Sequence, residues 1–198
     1  MKRRQAVKKS PKRTPKPVIF VDRDGVINED KIGAYITSWK EFRFIPGAIE
    51  ALKKLSLAGL QVVVVSNQAG VGDGEYSVRK LAFITQKMKD HLQKSGVLLR
   101  GIYYCLHGKN EGCSCRKPRA GLFEQAAKDI YFKPGHTFFV GDKVTDIQAG
   151  KAFGLRTIFV LTGHGKLDRD KLKSTVEPEV ILPSLMEAAD YALGHGRA

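Results

Sequence analysis

Short continuous apolar runs alternate with longer amphipathic stretches along most of the chain. Pro17 to Val21 is the first run and predicts a buried strand. Pro46-Gly47-Ala48 then opens a segment in which Ile49, Leu52 and Leu55 fall near helical spacing; it runs to Leu57, and Gly59 closes it. Gln61 to Val65 is the next buried strand, and it leads into a glycine-rich turn from Ala69 to Gly74. Ser77 is a good N-cap for a helix to about Ser95, with Leu81, Ile84, Met88 and Leu92 on one face. Ile102 to Cys105 predicts a third strand, Ala120 to Tyr131 a helix, His136 to Val140 a strand, Val144 to Phe153 a helix and Thr157 to Leu161 a strand. Between the breaks at Pro178 and Pro183 a last short strand is expected around Val180-Ile181, followed by a helix from Ser184 to Leu193. Buried strands alternating with amphipathic helices give an α/β fold: a Rossmann-like three-layer α/β/α sandwich on a mainly parallel sheet.

The 198 residues suit one domain with a sizeable core. The charge changes the picture at one end only. Of the formal +14, residues 1–16 hold eight Lys/Arg and no acid, so this segment reads as a disordered basic tail and residues 17–198 as the folded domain. The tail is a solvated extension, with weak nucleic-acid contact as its main alternative; it lacks the apolar core of a secretory signal. No stretch approaches the roughly 18 apolar residues of a membrane span, so a protein without a membrane partner is expected.

Polar residues cluster where the strands end: Asp22 and Asp24, then Ser66 and Asn67, then Arg116 and Lys117, then Asp142 and Asp146. In parallel sheets ligands bind beyond the carboxyl ends of the strands. Asp22 and Asp24, two apart on an extended segment, can reach one small volume, and Asp142 makes a third carboxylate there. Three acids repel one another without a cation, and Mg²⁺ suits hard oxygen ligands shared with a phosphate. With Lys117 and Lys143 for positive charge, the set points to phosphoryl transfer.

All three cysteines, Cys105, Cys113 and Cys115, lie with His107 in an eleven-residue window. Three thiolates and an imidazole with no open position describe a structural Zn²⁺ site. An odd cysteine count argues against disulfides.

The motifs Asp22-Arg23-Asp24-Gly25-Val26, Ser66-Asn67, Lys117-Pro118 and Gly141-Asp142-Lys143-Val144-Thr145-Asp146 resemble, in order and spacing, those of the haloacid dehalogenase (HAD) superfamily of phosphatases. Val-Ser-Asn-Gln-Ala-Gly-Val, Ile-Tyr-Tyr-Cys-x-His and Cys-x-Cys-Arg-Lys-Pro narrow the likeness to the D-glycero-D-manno-heptose 1,7-bisphosphate phosphatases, over about residues 17–165. The resemblance implies a HAD-like fold with a small zinc-stabilised loop and no large cap. It implies that Asp22 attacks phosphorus, that Asp24 acts as acid and then base, and that Ser66 and Lys117 hold the phosphoryl oxygens. Asn67, Gln68, Arg116 and Lys143 fall to substrate binding, Asp22, Asp142 and the Asp24 carbonyl to Mg²⁺. The implied enzyme is a cytoplasmic monomer acting on a sugar phosphate.

Asp73 departs from the pattern, standing where relatives commonly carry a basic residue; an acid there repels a bisphosphate. Leu106 and Gly108 replace prolines frequent around the metal-binding His. Three other readings remain: a histidinol-phosphate phosphatase, a polynucleotide 3′-phosphatase, and a zinc-stabilised nucleic-acid-binding protein without catalysis. The last leaves Asp22, Asp24, Asp142 and Asp146 unexplained, because clustered acids repel a polyanion.

Overall fold

A computed structural model describes residues 16–172 and 174–196. The expectation of a disordered tail that contacts nucleic acid concerns residues 1–16 and so falls, except for Lys16, outside the described residues.

Six strands form one sheet: β1 (Val18–Val21), β2 (Gln61–Asn67), β3 (Leu99–Cys105), β4 (Phe138–Gly141), β5 (Arg156–Val160) and β6 (Val180–Leu182). Their order is β3-β2-β1-β4-β5-β6, and every neighbouring pair is parallel. The helices between them are α1 (Ala48–Leu57), α2 (Val78–Lys94), α3 (Gly121–Asp129), α4 (Val144–Phe153), α5 (Gly165–Leu172) and α6 (Leu185–His195). The architecture is the expected α/β/α sandwich on a parallel sheet, and among the described residues no large cap is inserted.

Strand alternation distributes the core. Ile19 and Val21 of β1, with Val62 and Val64 of β2, pack against Leu52 and Leu55 of α1, Met88 of α2 and Ala188 of α6. Their neighbours Val18, Phe20, Val63 and Val65 face the other way, toward Leu122 and Phe123 of α3 and Ala149 of α4. β1 and β2 are therefore apolar on both faces and read as continuous runs, and each fully buried Val, Ile or Leu contributes about 1.5–3 kcal/mol.

Most sequence-expected elements appear within two residues of their expected limits, and three differences have a physical reason. The third strand starts at Leu99 rather than Ile102, because exposed Leu98 and Arg100 break the apolar run. A 3₁₀ turn over Pro134–His136 takes the start of the expected fourth strand. Helix α5 was not expected: only Gly165 and Leu172 of its eight residues are buried, so it carries little apolar periodicity. Leu172 packs on Ile147 and Phe159 and covers the outer end of the sheet.

The chain winds outward from β1 through β2 to β3, then returns to lay β4 on the other side of β1. That reversal parts the connections beyond β1 and β4 and opens a crevice between them. Asp22 follows β1 and Asp142 follows β4, so the topology alone brings these two carboxylates together.

Candidate active site

The crevice holds a cavity of about 460 Å³, within the ordinary range of ligand sites. Asp22, Asp24, Ser66, Asn67, Arg116, Lys117 and Lys143 line it, as do Asp30, Thr145, Asp146 and His164. Side chains from five strand ends thus converge although they lie up to 142 positions apart in the chain.

Lys117 is the hub. Its buried ammonium lies 3.0 Å from Asp22 Oδ1 and 2.7 Å from Asp146 Oδ1, donates to the Val65 carbonyl at 3.1 Å, and sits 5.2 Å from the Phe139 ring centroid. Burial works against its charge, but Asp146 and Asp22 outweigh that and raise its pKa. The segment carrying it is pinned by Asn67, whose Oδ1 accepts from the Lys117 backbone N–H at 3.0 Å and whose Nδ2 donates to the Lys117 carbonyl at 3.1 Å.

Two donors hold Asp22 Oδ1, the Arg23 backbone N–H at 2.8 Å and Lys117 Nζ at 3.0 Å, leaving Oδ2 as the oxygen tied to neither. Burial raises the Asp22 pKa against the pull of Lys117. Asp142 is more extreme: burial lifts its pKa well above the usual carboxylate range, Lys143 opposing and Asp146 and Asp22 reinforcing the rise. Its Oδ2 accepts from the His164 backbone N–H at 2.7 Å, while its buried Oδ1 has no hydrogen-bond partner. Oxygens of Asp22, Asp142 and Asp146 lie within 4.8 Å of one another. Both Asp146 oxygens are already engaged, Oδ1 by Lys117 and Oδ2 by the backbone N–H groups of Asp142 and Lys143. The orphaned Asp142 oxygen beside Asp22 is therefore the place where a hard divalent cation fits. Gly25 permits the approach, since at φ 87° a Cβ there would lie 2.1 Å from Asp142 Oδ2.

Asp24 is held differently. Its Oδ1 accepts from Arg23 Nε at 3.0 Å, Arg23 Nη2 at 2.9 Å and Asn28 Nδ2 at 2.9 Å; its Oδ2 accepts from Arg23 Nη2 and Gln68 Nε2, each at 2.8 Å. Burial alone would raise its pKa, but the Arg23 guanidinium, helped by Asn28 and Gln68, holds it below the usual range. Gln68, expected to bind substrate, is buried beside Asp24 and does not line the cavity. Its amide is spent on Asp24, on Ser66 Oγ at 3.2 Å and on the Tyr76 hydroxyl, which donates to Oε1 at 2.6 Å.

The thiols and imidazole also converge. Cys105 Sγ lies 3.6 Å from Cys113 Sγ and 3.7 Å from His107 Nδ1; Cys115 Sγ lies 3.3 Å from His107 Nδ1 and 3.7 Å from Cys113 Sγ. A tetrahedron with metal–ligand bonds of about 2.0–2.3 Å has edges of about 3.3–3.8 Å, so the four atoms match the size a closed zinc centre requires. Asp73, the acid expected to repel a bisphosphate, does not line the catalytic cavity: its carboxylate accepts from the Tyr35 hydroxyl at 2.8 Å and the Lys109 backbone N–H at 3.1 Å.

Sequence reasoning left several participants without a role. Asp146 anchors Lys117, and an acid three residues past the end of the Gly141-Asp142-Lys143 loop was the available signal. Asp30 accepts from Lys143 at 2.8 Å and lies 3.2 Å from His164 Nε2; no local pattern announces a contact spanning 113 positions.

A family model described as HAD-hydrolase-like matches residues 114–188. The D-glycero-beta-D-manno-heptose-1,7-bisphosphate 7-phosphatase of Haemophilus ducreyi is 37% identical over 184 residues, covering 89% of this chain and 98% of its own. The chain belongs to this phosphatase family. The Pasteurella multocida member is 40% identical over 181 residues, covering 87% of this chain and 97% of its own. A crystal structure of D,D-heptose 1,7-bisphosphate phosphatase from B. bronchiseptica, complexed with magnesium and phosphate, superposes with a TM-score of 0.83 at 32% identity, covering 90% of this chain and 98% of that one. Like these relatives, the chain is a HAD-superfamily phosphatase, a phosphoric monoester hydrolase. No helix among the described residues is long and apolar enough to cross a membrane.

Proposed function

We propose that the protein removes the C7 phosphate of D-glycero-D-manno-heptose 1,7-bisphosphate through an aspartyl-phosphate on Asp22. The observation that carries this reading is Asp22 itself, its Oδ1 fixed by Arg23 and Lys117 at the switch point of the sheet, in a chain of this family. Asp22 Oδ2 attacks phosphorus, and the bond to the sugar oxygen breaks. Ser66 and Lys117 hold the phosphoryl oxygens. Asp24 gives its proton to the departing C7 oxygen, then takes one from the water that hydrolyses the phospho-aspartate.

The resting network keeps Asp24 ionised, which suits the second half-reaction. The first requires Asp24 to gain a proton and loosen from Arg23, and an arriving dianionic phosphate favours both by raising its pKa. Asn28 and Gln68 orient Asp24, while Asn67 orients Lys117. Mg²⁺ would be held by Asp22, Asp142 and the Asp24 carbonyl, and when bound it neutralises charge on the transferring group. Zn²⁺ on Cys105, His107, Cys113 and Cys115 would fix the loop that carries Arg116 and Lys117. Residues 17–198 act as one unit, in this reading a cytoplasmic monomer on a diffusible sugar phosphate.

The test is phosphate release, with Mg²⁺ supplied, from heptose 1,7-bisphosphate, histidinol phosphate and a 3′-phosphorylated oligonucleotide by wild type and Asp22→Asn. Fast release from the bisphosphate that disappears in the variant supports the reading. Activity confined to either other ester overturns the substrate but keeps the chemistry.

A further inference from the structure

We propose that Lys109, presented at the cavity mouth by Asp73 and Tyr35, is a specificity-determining cation for the substrate's second, non-reacting phosphate. The inference rests on the bisphosphate reading above and adds a residue to it.

Five cationic side chains line the cavity: Lys31, Lys109, Arg116, Lys117 and Lys143. Three are already neutralised. Lys117 is paired with Asp22 and Asp146, Lys143 with Asp30 at 2.8 Å, and Lys31 with Glu41 at 2.9 Å. Among the described residues Lys109 and Arg116 form no ion pair. The charge left over for a second anion therefore sits on these two side chains. Arg116 adjoins Lys117 in sequence, whereas Lys109 comes from the middle of the cysteine loop, between His107 and Cys113.

An exposed lysine is ordinarily a freely solvated one, and such a group gains little from a single phosphate. Lys109 is exposed but not free. Its ammonium lies 5.5 Å from the centroid of the Tyr35 ring, within the range of a cation–π contact. The Tyr35 hydroxyl donates to Asp73 Oδ2 at 2.8 Å, and Asp73 Oδ1 accepts the Lys109 backbone N–H at 3.1 Å. One carboxylate thus fixes both the ring and the backbone of the lysine lying over it. The backbones beneath are in contact as well: a Cβ on Gly72 would lie 2.1 Å from the Gly108 N, and one on Gly108 would lie 2.5 Å from Asp73 Oδ1. Glu111 Oε1 closes the next turn by accepting from Gly108 N–H at 2.7 Å. Three segments, around Tyr35, Asp73 and Lys109, are locked to one another, and a cation held in advance loses less freedom when it binds. Asp73 spends its charge inside this lock, so the acid supports anion binding by placing the lysine.

The experiment compares kcat/KM for heptose 1,7-bisphosphate with that for heptose 7-phosphate, which lacks only the second phosphate, in the full chain with Mg²⁺. Lys109→Gln is expected to lower the ratio of the two about ten-fold, chiefly through KM of the bisphosphate, the loss of one preorganised charge contact. Lys109→Arg is expected to keep the ratio, and Asp73→Ala to lower it about three-fold with zinc content per chain as in wild type. A ratio in Lys109→Gln within two-fold of wild type would overturn the assignment. An unchanged ratio in Asp73→Ala would overturn the presenting role. A wild type that ignores both heptoses and hydrolyses another ester would overturn the substrate reading itself, and is read from the wild-type rates before any variant is compared.

Discussion

Replacing Asp142 with Asn should stabilise the protein in Mg²⁺-free buffer while abolishing phosphatase activity. Asp142 is fully buried, has one oxygen without a donor, and shares a cluster within 4.8 Å with Asp22 and Asp146. At that separation each like-charge pair costs about 3.5 kcal/mol in an effective dielectric of about 20. Two repulsions of that size against one comparable attraction to Lys143 leave an excess of about 3.5 kcal/mol, which relaxation and entering water reduce to about 2. The amide oxygen of the introduced asparagine would still accept from the His164 N–H. For a chain of this length the gain corresponds to about 4–8 °C in Tm. The pH dependence has a definite sign. Burial raises the folded-state pKa of Asp142 above its unfolded value of about 3.9. The destabilisation is absent below that unfolded value, grows as pH rises toward the folded one, and is complete above it. Calorimetric scans of wild type and variant between pH 4 and 8 should therefore diverge with rising pH. Added Mg²⁺ should stabilise wild type and close the gap. A variant that melts at or below the wild-type temperature at pH 8 without Mg²⁺ would show that the carboxylate cluster is not held against its own repulsion.

Lys117→Ala leaves Asp22 and Asp146 buried without their cation and should cost about 3–5 kcal/mol in urea unfolding, as well as nearly all activity. Gly25→Ala places a Cβ 2.1 Å from Asp142 Oδ2 at a backbone φ of 87°, so Mg²⁺-induced stabilisation in thermal scans should fall sharply. Stripping metal from the cysteine loop with a strong chelator should release about one zinc per chain, lower Tm, and increase hydrogen exchange in residues 105–117 more than in β1 or β4.

The fold was legible because its central strands are buried on both faces. A segment such as Ile19-Phe20-Val21 places alternate side chains in two separate clusters, so it is apolar at every position and stands out from its surroundings. Helices α1 and α2 were legible through Leu52 and Leu55 and through Ile84, Met88 and Leu92, which recur at helical spacing on buried faces. Helix α5 was not, because it lies at the periphery and buries only its two ends. Its single anchor in the small outer cluster, Leu172, does not make a period.

The site divides along a similar line. The groups that the proposed reaction places at the reacting atoms sit at strand ends, and polar residues directly after an apolar run mark them in the sequence: Asp22 after β1, Ser66 at the end of β2, Asp142 after β4. The groups that hold them are chosen by tertiary proximity and carry no such mark. Asn28 would pass for a loop residue and Gln68 for a substrate ligand, yet their amides share the Asp24 carboxylate with Arg23 and help to hold its pKa down. Asp73 shows the same limit with the opposite sign. In sequence it is an acid in a turn facing an anionic ligand; in the structure its charge is turned to Tyr35 and the Lys109 backbone. What an acid does to a nearby phosphate depends on which donors have already claimed its oxygens, and those donors lie 38 and 36 positions away in the chain. The sequence therefore reveals the reaction class through its strand-end residues, while the contacts that claim the Asp73 carboxylate lie among loops that only the folded chain brings together.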